Sequence, residues 1–196
     1  DAATLEKLHK VNTVVVDKTG TITKGKPTLV DIQNLSHLKD EEMISIIASL
    51  EKKSEHPIAH AIINYAKEKN LSIPEISNFS IQKGKGIQGV VNNIKYFAGN
   101  VQLIKDLGIS FDTKQLDQYT MQGKTPVILA TKDSVVGYVM VSDEIKDESK
   151  QAINDLHKLG IKVIMLTGDD EKAAQHIASL VGIDEVIAHV MPEDKM

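Results

Sequence analysis

Two kinds of hydrophobic pattern alternate along this chain of 196 residues. Val14-Val15-Val16 and Ile161 to Leu166 are short runs of β-branched and aliphatic residues, the pattern of strands buried in a sheet. Between Ile145 and Leu159 the apolar positions Ile145, Ala152, Ile153, Leu156 and Leu159 instead recur at helical spacing, and Gly160 supplies a stop. A second helix follows Asp170 and runs to about Val181, closed by Gly182, and a short strand follows at 186–188. Residues 5–10 read as helical, and 11–16 as a β-branched run.

The long middle section has a different character. Strands are expected near 28–35, 76–83, 87–92, 94–98, 126–131 and 134–141, and helices near 40–50, 57–69, 100–107 and 112–121. Strand, turn and helix in alternation predict a parallel sheet with right-handed crossovers. The return of the first strand is delayed by well over roughly a hundred residues, too long for a loop, so an inserted domain is the economical reading. The fold class expected is α/β, with a Rossmann-like core split as 1–27 and 141–196, and an α+β insertion on an antiparallel sheet at 28–140.

Composition narrows the function classes. With 41% hydrophobic residues the chain can bury a core, and a net charge of -4 without a basic stripe argues against nucleic acid as a partner. The absence of cysteine excludes disulfides, thiolate metal sites and thiol nucleophiles. No apolar run approaches the roughly twenty residues that span a bilayer, and the first residues lack a signal-peptide core, so the chain is expected to be soluble.

The candidate chemistry gathers at strand ends. Asp17-Lys18-Thr19-Gly20-Thr21 follows the first strand and sets one carboxylate at its carboxyl end, where ligands of open α/β sheets bind. Lys18 adds positive charge, Thr19 and Thr21 add hydroxyls, and Gly20 lets the backbone pass close to a phosphate. Thr167-Gly168-Asp169 repeats this arrangement after a second strand, and Lys195, after Pro192, is a third candidate able to neutralise phosphoryl oxygens. In the middle section Glu51 and Ser54-Glu55-His56-Pro57 precede a helix for which Pro57 fits the first position and His56 the cap. His56 and His60 have the spacing of a metal pair, but no third ligand accompanies them. Gly84-Lys-Gly86-Ile-Gln-Gly89 is followed by strand rather than helix, which disfavours a dinucleotide fingerprint and leaves a hairpin turn.

DKTGT, TGD and the PEDK lysine resemble the haloacid-dehalogenase-type phosphoryl-transfer core in the form carried by P-type ATPases, and SEHP resembles the heavy-metal-transporting branch. The resemblance implies ATP and Mg2+ as cofactors. Asp17 would be the phosphoacceptor, with Lys18, Thr19, Thr167, Gly168, Asp169 and Lys195 around the phosphoryl group and magnesium at Asp17 and the Thr19 carbonyl. It also implies a nucleotide site at Glu51, His56, Gly84, Gly86, Gly99 and Asn100, a hinge segment at Asp143-Glu-Ile-Lys146, and closure of the insertion across two strands near 24–30 and 139–145. Soluble phosphatases of that superfamily carry a second aspartate two positions after the nucleophile. Here that position is Thr19, so a phosphoenzyme would form but release phosphate slowly.

The chain stops at Met196, just where that family continues to a GDGxND segment. Its Cys-Pro-Cys membrane site and TGE actuator segment are also missing. The resemblance therefore implies a cytosolic catalytic piece of an integral membrane pump, whose partners are the absent transmembrane and actuator domains and whose heavy-metal ion binds only in the absent membrane part. Copper is favoured as the exported ion. A zinc/cadmium pump, a non-catalytic nucleotide-binding module and a soluble phosphatase are the alternatives.

Overall fold

The computed structural model describes residues 11–190. In chain order its elements are β1 (Thr13–Asp17), β2 (Thr28–Asn34), α1 (Asp40–Glu51), α2 (Pro57–Glu68), β3 (Ser77–Gln82), β4 (Gly86–Val91), β5 (Ile94–Gly99) and α3 (Val101–Asp106). They continue as α4 (Lys114–Thr120), β6 (Thr125–Ala130), β7 (Val135–Ser142), α5 (Ser149–Lys158), β8 (Lys162–Leu166), α6 (Glu171–Val181) and β9 (Glu185–Ile187). The helix expected at 5–10, Pro192 and Lys195 lie outside the described residues.

The chain divides into two compact units, one of residues 1–26, 121–123 and 143–196 and one of 27–120 and 124–142. In the first, a parallel sheet has the order β1-β8-β9, with Asp17 level with Leu166 and Leu166 level with Ile187. Parallel strands need crossovers. Here α6 connects β8 to β9, and one face of the sheet buries Val163 and Met165 against Ile153, Ala174, Ile177 and Val181. Gly182 ends α6 at φ 87°, a left-handed cap that suits a residue without Cβ.

In the second unit six antiparallel strands run in the order β2-β7-β6-β5-β4-β3. The period of two divides their side chains between two cores. Val127, Leu129, Val139 and Val141 pack with Met43, Ile47, Leu50 and Ile62 of α1 and α2. Ile128, Tyr138 and Met140 pack on the opposite face with Ile104 of α3 and Leu116 of α4. Each fully buried aliphatic side chain contributes roughly 1.5–3 kcal/mol.

Three expectations need correction. The first strand is not buried on both faces: Val15 is 54% exposed, because the described helices of this unit pack on the face that carries Val163 and Met165. The helix expected from Ile145 begins at Ser149. Ile145 forms an antiparallel bridge with Thr23, and the Lys146 N–H donates to Ile22 O at 3.0 Å, so extended pairing with the segment after β1 holds these residues out of helical geometry. Leu159, expected on the apolar stripe, is exposed beyond the end of α5.

Candidate active site

Asp17 ends β1, and the chain turns immediately. Thr19 (φ −70°, ψ 121°) and Gly20 (φ 78°, ψ −7°) have the dihedrals of a type II turn, whose third position requires positive φ and hence favours glycine. A Cβ at Gly20 would meet nothing within 4 Å, so backbone conformation rather than crowding selects glycine there. The turn leaves Thr19, Gly20 and Thr21 exposed while Lys18 and Ile22 are buried.

The parallel register sets the Asp17 turn beside the loop that follows β8. The Lys18 ammonium, almost wholly buried, donates to the Asp169 carboxylate and forms an ion pair with it. Thr167 is buried, and its Oγ1 accepts from the Asp169 N–H at 3.1 Å. Thr167 N donates to Ile187 O at 3.0 Å and Thr167 O accepts from Val190 N at 3.0 Å, which ties this loop to the end of β9. A Cβ on Gly168 would stand 3.3 Å from Val190 O. Asp170 caps α6, its Oδ2 accepting from Lys172 N and Ala173 N at 3.0 and 3.3 Å. Thus Asp17, Lys18, Thr19, Thr167, Gly168 and Asp169 form one cluster at the carboxyl ends of two adjacent strands. Its exposed oxygens and backbone amides suit a phosphate bound to a hard cation.

Behind the turn lies a residue that the sequence reading missed. Thr23 is fully buried, and its Oγ1 donates to Asp143 Oδ2 at 2.6 Å and accepts a longer bond from Gly20 N at 3.4 Å. Asp143 Oδ1 accepts from Lys26 N at 3.1 Å, and Lys24 N donates to Glu144 O at 2.8 Å. The Lys24 and Glu144 side chains also pair at 2.6 Å, each pulling the other toward its charged form, by hydrogen bonding first and then by charge. A threonine beside Ile22 carries no local mark that separates a buried hydroxyl from an exposed one.

In the second unit the expected glycines meet. Gly86 of β4 stands directly opposite Gly99 of β5. A Cβ on Gly86 would lie 2.2 Å from Ala98 O, and one on Gly99 would lie 2.1 Å from Lys85 O, so each strand approaches the other as closely as glycine permits. Asn100 locks the turn: its Nδ2 donates to Gly84 O at 2.9 Å, its N to Lys85 O at 2.9 Å, and its Oδ1 caps α3 by accepting from Leu103 N at 3.1 Å.

Glu51 and His56 sit at the corner between α1 and α2. The last turn of α1 lies over β4, with Leu50 Cδ2 3.3 Å from where a Cβ on Gly89 would stand. Burial pushes the Glu51 carboxyl up from 4.5 to about 7. His56 caps α2 through Nδ1, which accepts from Ile58 N at 3.1 Å and so leaves the ring proton of the neutral imidazole on Nε2. Among the described residues no group of three or more His, Asp and Glu side chains could hold a metal ion.

Residues 11–195 match the model of the haloacid dehalogenase-like hydrolases. Copper-exporting P-type ATPases of Staphylococcus aureus, from strains JH9 and MW2 among others, are 42% identical over 194 residues, which is 97% of this chain and 24% of theirs. The chain therefore spans about a quarter of the length of the curated relatives it matches. Among solved structures, a zinc-transporting PIB-type ATPase in an E2.Pi state is 31% identical with a TM-score of 0.65, covering 98% of this chain and 31% of that one. The catalytic domain of the CPx-ATPase CopB-B is 25% identical with a TM-score of 0.70, covering 100% and 68%. No helix among the described residues is long and apolar enough to cross a membrane. With its aspartate, lysine and Thr-Gly-Asp loop set at adjacent strand ends and a family match running over nearly its whole length, the chain belongs to the haloacid dehalogenase-like hydrolases and is homologous to the copper-exporting P-type ATPases.

Proposed function

We propose that this chain is the cytosolic phosphorylation and nucleotide-binding part of a membrane pump that exports a heavy metal, with copper favoured. The observation that carries the reading is the cluster at Asp17, Lys18 and Asp169, with threonine at position 19 where a phosphatase would hold its acid/base aspartate. An Asp17 carboxylate oxygen attacks the γ-phosphorus of ATP in line. The bond from that phosphorus to the β,γ-bridging oxygen breaks, and ADP leaves with the electron pair. A carboxylate needs no base to become a nucleophile, so this half of the reaction rests on positioning and charge neutralisation. Hydrolysis of the aspartyl-phosphate does need one, and Thr19 cannot serve, so the phosphoenzyme persists long enough to be coupled to transport.

The donor set fits Mg2+: the Asp17 carboxylate and the Thr19 carbonyl are hard oxygens on an exposed turn, and magnesium keeps water and phosphate oxygens as its other ligands. When bound it would neutralise charge on the transferring phosphoryl group. The hydroxyl of Thr167, whose oxygen already accepts from Asp169 N, keeps its proton for a phosphoryl oxygen, and the Gly168 amide offers a second donor. Lys195 is assigned to the same group. ATP is held on the insertion, which we delimit as 28–140 between core segments 1–27 and 141–196. Glu51 and His56 serve the base, and Gly84, Gly86, Gly99 and Asn100 the ribose-phosphate region.

The 31% identity to a zinc-transporting pump supports zinc as the second reading for the ion. Asp17→Asn in the full-length protein that carries this chain should abolish the hydroxylamine-labile acyl-phosphate formed from ATP while leaving ATP binding intact. Phosphorylation that survives the substitution would refute the assignment. Stimulation of that phosphoenzyme by copper(I) rather than zinc decides the ion.

A further inference from the structure

Within the glycine hairpin of the second unit stands a cation, Lys85, that the nucleotide reading does not use. A lysine between two glycines is placed by sequence to meet a phosphate as a point charge. Its side chain goes elsewhere. The Lys85 ammonium pairs with Asp106 Oδ2, and Asp106 Oδ1 accepts from Gln102 Nε2 at 2.7 Å, so both carboxylate oxygens are occupied. These two bonds, that of Lys85 first, hold the Asp106 carboxyl below its ordinary range.

Asp106 is the last residue of α3, whereas Asn100, at the opposite end of that helix, is the residue bonded to Gly84 O and Lys85 O. Six helical residues span roughly 9 Å. The hairpin backbone is therefore fixed at one end of α3 while its ammonium is drawn along the helix to the other, away from the point where Gly86 meets Gly99.

We infer that Asp106 withholds Lys85 from a bound nucleotide, so that the hairpin recognises its ligand by close backbone approach and contributes no charge toward the outer phosphates. The inference rests on the nucleotide site proposed above. It makes Asp106 a specificity-determining residue that acts through another side chain.

Calorimetric titration of the chain with ATP and with AMP, without magnesium, tests it on the wild type, Lys85→Met, Asp106→Asn and the double variant. Lys85→Met should change the ATP dissociation constant by less than about twofold. Asp106→Asn should release the ammonium and tighten ATP about fivefold while leaving AMP unchanged, and the double variant should lose that gain. Unchanged AMP binding also reports an intact hairpin. The inference is overturned if Lys85→Met weakens ATP fivefold or more with AMP unaffected, since Lys85 would then already serve the phosphates, or if Asp106→Asn leaves ATP affinity as it was. A wild-type chain that binds neither nucleotide overturns the nucleotide site itself, a distinct outcome.

Discussion

The buried hydroxyl of Thr23 donates to Asp143 Oδ2 across 2.6 Å, joining segments that are 120 residues apart in the chain. The same hydroxyl lies 3.4 Å from the Gly20 amide, and the other Asp143 oxygen accepts from Lys26 N. One carboxylate thus holds the exit of the turn that carries Asp17. Thr23→Val keeps the shape and removes the hydroxyl from a charge-assisted bond, which should destabilise the first unit by about 2 kcal/mol in urea unfolding. Thr23→Ser, which keeps the donor, should cost less than about 1 kcal/mol. A larger loss in Thr23→Ser than in Thr23→Val would show that the methyl, not the hydroxyl, matters.

Lys18 and Asp169 invite a double-mutant cycle. The ammonium is almost fully buried and its partner is mostly so. Lys18→Met leaves a carboxylate without its cation, and Asp169→Asn leaves a buried ammonium facing an amide, so each should cost roughly 2–3 kcal/mol. The double variant should cost less than the sum, with a coupling energy of about 1–2 kcal/mol. Additive losses would mean that the pair contributes nothing beyond its separate side chains.

The glycines of the hairpin should separate by cause. A Cβ on Gly86 collides with the backbone at Ala98 O and Gly99 Cα, atoms that cannot rotate away. Gly84, at φ 75°, has open space around a Cβ and only an unfavourable backbone region to bear. Gly84→Ala should therefore cost about 1 kcal/mol, and Gly84→Asn less, because asparagine tolerates that region. Gly86→Ala should cost more than about 3 kcal/mol or force the strands apart, and urea unfolding of the three variants gives the order. A Gly86→Ala as mild as Gly84→Ala would mean that β4 and β5 are not in close apposition.

Period and punctuation made the fold legible wherever local chemistry decided it. Pro57 after His56 foretells the start of α2, and Gly182 the end of α6, because a fixed φ and a left-handed cap are properties of single residues. The apolar side chain of Ile145 fits a helix, while its backbone is claimed by Thr23, a partner no local window includes. The site divides in the same way. Asp17, Lys18 and the Thr-Gly-Asp loop are found by their motifs, yet the Lys18–Asp169 pair follows only from the parallel register of β1 on β8. Thr23 and the clasp of Lys85 by Asp106 carry no local signal at all, because each depends on where a distant carboxylate lands.

Glu51 gives the second unit a dependence on pH with a definite sign. It closes α1, where the helix dipole already disfavours a carboxylate, and its side chain is buried. Desolvation lifts its pKa from 4.5 to about 7. Between those values the folded state holds a proton that the unfolded state has released, so stability falls as pH rises from about 4.5 to about 7 and levels off above. A shift of this size corresponds to a loss on the order of 3 kcal/mol. Glu51→Gln cannot ionise. It should match the wild type near pH 4.5 and exceed it by up to about 3 kcal/mol at pH 8, so the part of the pH slope due to Glu51 should disappear. Urea unfolding at pH 5 and pH 8 measures both arms, and a variant that keeps the wild-type slope would place the proton on another group.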